Sequence, residues 1–194
     1  WRGVSERFKH IHLNNNFIQT YEIVESAIQK KNEKWDLFCK EYAASFSDLI
    51  QRYEKHNIFG DIHYELVGKT IFGCYPLHPV STFILPRLSE RIAQNERTLF
   101  TFISAPGNST LPGFLHNYQD DHFEVITPDL IYDYFEPLLK KEVYNGSIHE
   151  NYVLTEMILE RLDEISLESK IIKTLALIYM LEQFEKLPPS KEEL

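Results

Sequence analysis

The sequence predicts a mainly α-helical protein, a lid-like multi-helix bundle with one or two short strands. Glycine is scarce, at 7 of 194 residues, which argues against a turn-rich β protein. Apolar residues recur at spacings of three and four over most of the chain, and this is the period of one helix face. With 43% hydrophobic residues, a chain of this length can also bury a sizeable core.

The first third of the chain contains one predicted strand and two predicted helices. Residues 6–13 alternate apolar and polar side chains, as a half-buried strand does. After a polar break, residues 17–28 place an apolar stripe on one helix face, and the same period predicts a single long helix over residues 33–55. Residues 64–72 carry β-branched and apolar side chains and predict an extended stretch or loop.

In the middle of the chain, prolines indicate where helices begin and where they are interrupted. Because Pro79 suits a first helical turn, we predict a helix over residues 79–93, with a kink or break at Pro86. A second helical piece is predicted over residues 96–103. Residues 104–122 are interrupted by glycine and proline and predict a long loop.

The last third is predicted to be helical after a short strand at residues 123–126. The run Thr-Pro-Asp at 127–129 is typical of a helix start, so a helix is predicted over 127–141. Two further helices are predicted over residues 150–165 and 166–184. Ser190 with Glu193 has the spacing of a capping box and predicts the start of another helix.

These elements predict three segments. Residues 1–61 would hold the strand and the first helical pair, residues 62–141 a second helical subdomain with the long loop at 104–122, and residues 142–194 the C-terminal helices. Because the chain starts at Trp1 and stops within the first turn of a predicted helix, we expect the natural protein to continue on both sides.

Composition and motifs exclude several functions. The sequence has no glycine-rich phosphate loop, no paired-cysteine motif and no nucleophile-elbow motif. Its apolar runs fall far short of the ~20 residues that a membrane span needs, so no membrane contact is predicted. The net charge of −9 argues against a large nucleic-acid footprint. Two cysteines, Cys39 and Cys74, without metal-type spacing fit a reduced, cytoplasmic interior.

Three segments together resemble a known family. The sequence RFKHIHL and the helix that follows it are similar to the last core strand and first lid helix of AAA+ and related STAND-like P-loop ATPases. The stretches YPLHP, LPRLSER and QNERTLFTFI, within residues 75–103, resemble the segment downstream of the ATPase core in large bacterial P-loop ATPases, including those of BREX-type phage-defence systems. Residues 170–194 resemble the first helix and turn of a winged helix.

The resemblance implies a non-catalytic helical region that couples the nucleotide state of a parent ATPase to a partner or effector. ATP and Mg²⁺ would bind the parent core, whose nucleotide-binding loop and metal-binding acidic strand do not occur in this sequence. The implied partners are that missing core and the C-terminal domains of the same chain, and uncovered apolar faces would promote self-association. The alternative is a free-standing helical protein–protein interaction domain without nucleotide binding.

Arg97, Arg7 and His78 are the candidate nucleotide-sensing residues. An arginine offers a planar fork of donors for phosphate, so Arg97 in a lid would contact a terminal phosphate or a neighbouring subunit, and Arg7 beside the core strand would act similarly. His78, at a predicted helix start, could contact an anion or cap the helix. The structural alternatives are ion pairs for the two arginines and a buried, backbone-bonded imidazole for His78.

Two further clusters carry less weight, and no catalytic residue, metal or cofactor of the segment itself is predicted. His10 and His12 share one side of the predicted strand, but nothing in their spacing to His63 or to residues 120–122 requires a zinc site. Three acids fall on one face of the helix at 127–141. Acid–base catalysis is conceivable there, but a solvated helix face is the expected arrangement. The three acids are Asp129, Asp133 and Glu136.

Overall fold

The computed structural model describes residues 17–56, 58–59, 64–93, 97–118, 122–142 and 146–190. Ten helices form within these ranges, together with one isolated parallel β-bridge between Leu77 and Ile126. The prediction of a mainly α-helical bundle is therefore confirmed. The predicted strand at residues 6–13 lies outside the described residues. The helices are α1 (Phe17–Ala27), α2 (Asn32–Glu41), α3 (Ala43–His56), α4 (Tyr64–Cys74), α5 (Pro79–Ala93), α6 (Arg97–Ser104), α7 (Leu111–Asn117), α8 (Pro128–Leu139), α9 (Gly146–Leu159) and α10 (Leu167–Leu181).

Helix α5 is central to the packing. It contacts α1, α6, α8 and α10, and its side chains Val80, Phe83, Ile84 and Leu88 are fully buried. Helix α4 packs against α1 and α3, while α8, α9 and α10 pack against one another. One hydrophobic cluster extends from Tyr21 to Leu187 and so runs through all three predicted segments.

Pro86 lies inside α5 without breaking it. The helix continues from Pro79 to Ala93, so the predicted helix is confirmed and the predicted break is not observed. An internal proline costs about 3 kcal/mol because it removes one backbone hydrogen bond and crowds the preceding turn. Burial of the apolar residues on both sides of Pro86 outweighs that cost.

The predicted single helix at residues 33–55 is wrong, because α2 ends at Glu41 and α3 starts at Ala43. Tyr42 lies between them and its N–H donates to the Phe38 carbonyl. Trp35 and Phe46 show why the chain bends there. Eleven residues of straight helix would separate them by about 16 Å. Their ring centroids are instead 5.9 Å apart, so the bend brings both helices to one aromatic cluster.

The predicted extended stretch at residues 64–72 is also wrong, because it forms α4. Val67, Ile71 and Cys74 follow at spacings of four and three and are all buried, which is a helical pattern. Burial of this face against α1 and α3 outweighs the strand preference of the β-branched residues.

The predicted long loop at residues 104–122 contains α7, so that prediction is wrong over residues 111–117. Thr110 caps this short helix, since its hydroxyl accepts a hydrogen bond from the Gly113 N–H at 3.3 Å, and a proline occupies the first turn. No strand forms over 123–126 either. Ile126 alone pairs with the chain before α5, accepting from the His78 N–H and donating to the Pro76 carbonyl.

The helices predicted in the last third are confirmed in type, with shifted ends. Helix α8 starts at Pro128 after Thr127 and ends at Leu139. Helix α9 begins and ends earlier than predicted, at Gly146 and Leu159. Ser166 caps α10 by accepting from the Ser169 N–H at 3.2 Å. Glu193, the second half of the predicted capping box, lies outside the described residues, and the winged helix stays a prediction.

Candidate docking surface

Helix α9 carries a row of apolar side chains that faces solvent. Val153, Leu154, Met157 and Ile158 fall on one side of the helix, and we call these four residues the α9 stripe. All four are exposed, Leu154 to 57% and Met157 to 54%. The turn after α9 adds Ile165, which is 82% exposed. Adjoining exposed aliphatic side chains over two helical turns are typical of surfaces that contact other proteins.

The other side of α9 is apolar too and is buried. Ile148, Tyr152 and Thr155 are enclosed where α9 packs against α8 and α10. The stripe therefore faces outward because the opposite face already supplies the contacts with the bundle. Helix α9 has more apolar surface than these described neighbours cover.

Two reciprocal tyrosine–glutamate hydrogen bonds fix α9 against α8. Tyr132 of α8 donates from its hydroxyl to Glu156 Oε1 at 2.9 Å, and Tyr152 of α9 donates to Glu136 Oε1 at 3.3 Å. Burial raises the pKa of Tyr132, and hydrogen bonding to Glu156 raises it further. Burial and the two neighbouring carboxylates likewise raise the pKa of Tyr152 to about 12. Both phenols therefore keep their protons at neutral pH and act as donors.

The expectation of a simple solvated face for the three acids of α8 is corrected by their contacts. Asp133 Oδ1 lies 2.7 Å from Lys173 Nζ on α10. Glu136 accepts the hydrogen bond from Tyr152. Asp129 lines a cavity between α3, α8 and α10. Two of these carboxylates thus position α9 and α10 against α8.

Acidic residues border the α9 stripe. Between positions 146 and 168 the sequence has six acidic residues and one arginine. A negative border around an apolar patch favours a partner that presents apolar side chains among basic ones. The exposed acids of this region are Glu150, Glu160, Asp163, Glu164 and Glu168.

The two nucleotide-sensing candidates that the structure describes, Arg97 and His78, are not brought together. Arg97 is exposed at the first residue of α6, and His78 lies just before α5. The two residues flank the 15 residues of α5, which span about 22 Å. Arg7 lies outside the described residues. A sensing role for each of the three stays a prediction.

His78 lies in a cavity of about 210 Å³. Its Nδ1 accepts a hydrogen bond from the Val80 N–H at 3.4 Å, within the first turn of α5. Burial and, to a smaller extent, the positive charge of Arg52 lower the pKa of His78 to about 4. The imidazole is therefore neutral at pH 7 and acts as an acceptor. Lys170, Arg52 and Asp129 supply the charges of this cavity.

Metal ligands do not cluster in the part of the chain that the structure describes, where no three histidine, cysteine or acidic side chains lie close enough to hold an ion. Of the histidines and acids weighed for a zinc site, His122 is described, whereas His10, His12, His63 and residues 120–121 lie outside the described ranges.

Arg87 is a buried residue that sequence reasoning did not select. It lies in the LPRLSER stretch, on α5, and is only 6% exposed. Its guanidinium lies over the rings of Phe83 and Phe17, 3.6 and 4.0 Å from their centroids. Its Nε donates to Gln183 Oε1 at 3.2 Å, after the end of α10. No pattern of apolar spacing marks a charged residue that aromatic rings enclose, so this role becomes visible only in the structure.

Comparison with known proteins adds no relative to this picture. No protein-family model, no curated protein and no solved structure matches the chain. The helices in the described ranges include none that combines the length and the apolar character required to cross a bilayer.

Proposed function

We propose that this chain is a non-catalytic helical region of a bacterial, cytoplasmic P-loop ATPase, and that it couples the nucleotide state of that protein to a partner. The observation that carries the partner contact is the α9 stripe. Exposed aliphatic side chains cost free energy in water, and covering them with a partner recovers it. The acidic border favours a partner surface with basic residues around an apolar centre.

The nucleotide connection rests on the resemblance of residues 75–103 to the segment downstream of the ATPase core. In the structure this segment forms α5, the approach to it, and α6. Helix α5 contacts both α6, which begins at Arg97, and α8, against which α9 packs. A phosphate bound by Arg97 would thus act on the α9 stripe through α6, α5 and α8.

The alternative is a helical protein–protein interaction domain without nucleotide binding. It uses the same α9 stripe, and it differs only in making no contact with an ATPase core. ATP turnover by the natural protein that contains this sequence therefore separates the two.

The test measures ATP turnover by that natural protein, by two variants and by one control variant. We expect turnover in the parent, reduced turnover in Arg97→Ala without loss of helical circular dichroism, and altered turnover in the double variant Leu154→Ser/Met157→Ser. Ile23→Ser, which changes an exposed isoleucine of α1, is the control and should match the parent. No turnover in the parent removes the ATPase proposal and leaves the alternative. Parent-like turnover in Arg97→Ala removes the sensing role.

Sedimentation of the isolated chain tests the docking part independently of ATP. Should the stripe pair with a second copy, the parent chain would dimerise and Leu154→Ser/Met157→Ser would be monomeric. A monomeric parent directs the search to the other domains of the ATPase or to a basic partner protein.

A further inference from the structure

A second cavity, of about 380 Å³, opens where the connection between α1 and α2 meets α2 and α7. This volume lies within the range of small-molecule sites. Its walls are mainly aromatic and aliphatic, and Leu37 and Leu115 at its edge are exposed. The aromatic lining residues are Trp35, Phe38, Tyr75 and Tyr118.

The aromatic side chains that line the cavity are held in place by contacts with one another and with the backbone. Trp35 stacks on Phe38, with ring centroids 5.7 Å apart and planes inclined by 18°. The Tyr75 hydroxyl donates to the Glu124 carbonyl at 2.8 Å and lies 3.0 Å from the Tyr118 hydroxyl. Trp35 and Tyr75 are also in ring contact, at 5.6 Å. A ligand entering this cavity would meet rings that are already oriented, so little ordering would be needed.

Basic side chains surround the aromatic walls although the chain as a whole is acidic. Lys30, Lys31 and Lys34 all line the cavity, against one lining carboxylate, Glu41. The Lys30 ammonium lies 5.1 Å from the centroid of the Trp35 ring and donates to the Gly73 carbonyl. Burial lowers the pKa of Lys30, because its ammonium has lost part of its water. A negative group beside these ammonium groups would be stabilised.

We propose that this cavity binds a small aromatic anion, whose flat ring contacts Trp35 and Phe38 and whose acidic group contacts the three lysines. The lining residues support both features of this ligand. The stacked rings favour a flat apolar body, and the lysines favour a single negative charge at its end. This site is separate from the α9 stripe and does not depend on the proposed ATPase function.

Two matched probes test the proposal by calorimetric titration of the intact chain. 2-Naphthoate carries the ring and a negative charge, whereas 2-naphthalenemethanol carries the same ring with an uncharged hydroxymethyl group. We expect the anion to bind about tenfold more tightly at low salt, since several exposed ion pairs each contribute modestly, and we expect salt to reduce this difference. Equal affinity for the two probes, or no binding of either, would overturn the proposal.

Variants of the lining residues test whether the anion binds in this cavity. Lys31→Gln/Lys34→Gln should remove most of the preference for the anion, and Lys55→Gln/Lys140→Gln, which changes two lysines outside the cavity lining, should keep it. Leu37→Asp places a negative charge at the exposed edge and should weaken naphthoate at least fivefold without loss of helicity. If naphthoate binds Leu37→Asp as tightly as the parent, the anion lies elsewhere and the assignment to this cavity is wrong.

Discussion

The Arg87 guanidinium donates a hydrogen bond to the Tyr21 hydroxyl at 2.7 Å, and this contact joins α5 to α1. The same nitrogen donates to the Phe83 carbonyl at 2.9 Å. The positive charge of Arg87 is thus stabilised by oxygen acceptors and ring faces. Burial raises the pKa of Tyr21, although Arg87 acts in the opposite direction, so the phenol remains protonated at neutral pH.

Arg87→Lys should therefore destabilise the protein although it preserves the charge. Lysine lacks the planar fork that reaches Tyr21 and Gln183 together, and hydrogen bonds to charged groups contribute about 1.5–3 kcal/mol. We expect the free energy of unfolding to fall by about 2–3 kcal/mol in urea titrations. Arg52→Lys is the matched control, because Arg52 is half-exposed and lies 3.7 Å from Asp48. It should change the stability by less than about 0.5 kcal/mol. Equal losses in both variants would contradict the role assigned to Arg87.

Substitution by alanine should have opposite effects on stability at two glycines. A Cβ on Gly113 would lie 1.9 Å from the Gly107 carbonyl oxygen, whereas a Cβ on Gly68 would meet only Ile50 Cδ1 at 3.6 Å. Gly113→Ala should destabilise α7 by about 2–3 kcal/mol, since backbone must move to make room. Gly68→Ala, inside α4, should stabilise by about 0.5–1 kcal/mol through helix propensity. Hydrogen exchange over residues 111–117 and urea titration measure the two effects, and stabilisation by Gly113→Ala would refute the close approach.

The sequence predicts those parts of the fold that depend on local signals, and it does not predict those that depend on distant contacts. Helix starts with local signals were predictable, as at Pro128, because capping chemistry acts within a few residues. Thr110, with a proline in the first helical turn, carries the same kind of signal, but the glycines and prolines around it favour a loop. The bend at Tyr42 depends on the contact between Trp35 and Phe46, which local periodicity does not encode.

For the candidate docking surface, the sequence predicts that apolar faces are exposed but not which helix carries them. Exposed apolar faces were expected, but α9 is apolar on both sides, so its sequence does not distinguish the buried Tyr152 from the exposed Leu154. The choice is made by the partners of the inward side, Glu136 and the core around Ile148. The sequence does not indicate the aromatic cavity for a similar reason. Trp35 and Tyr75 are distant in sequence and meet only after folding.

The two cysteines should differ in reactivity. Cys74 is fully buried, its thiol lies 3.7 Å from the Tyr21 carbonyl oxygen, and burial raises its pKa to about 12. Cys39 on α2 is half-buried, and burial raises its pKa to a smaller extent. An aromatic disulfide reagent should therefore modify the Cys39 thiol slowly in the native protein and the Cys74 thiol only on unfolding. Cys39→Ser is the control and should show no native-state reaction. Rapid modification of two thiols would show that Cys74 is accessible.

His78 should make stability depend on pH between about 6.5 and 4. Burial lowers its pKa to about 4 in the folded protein, whereas an unfolded histidine titrates near 6.5. The unfolded chain therefore binds a proton in this range that the folded protein excludes, so the free energy of unfolding decreases as the pH falls. This contribution is fully present above about pH 6.5, and about 3 kcal/mol of it is lost by pH 4.

His78→Gln isolates this contribution, because glutamine does not take up the proton and still offers an acceptor near the Val80 N–H. Urea titrations of both proteins between pH 7.5 and 4.5 give the comparison. The difference in stability between parent and variant should stay constant above pH 7 and change in favour of the variant as the pH falls. Taking the difference between the two proteins removes the titration of the groups that they share. Parallel curves over the whole range would show that the folded protein protonates His78 as readily as the unfolded chain does.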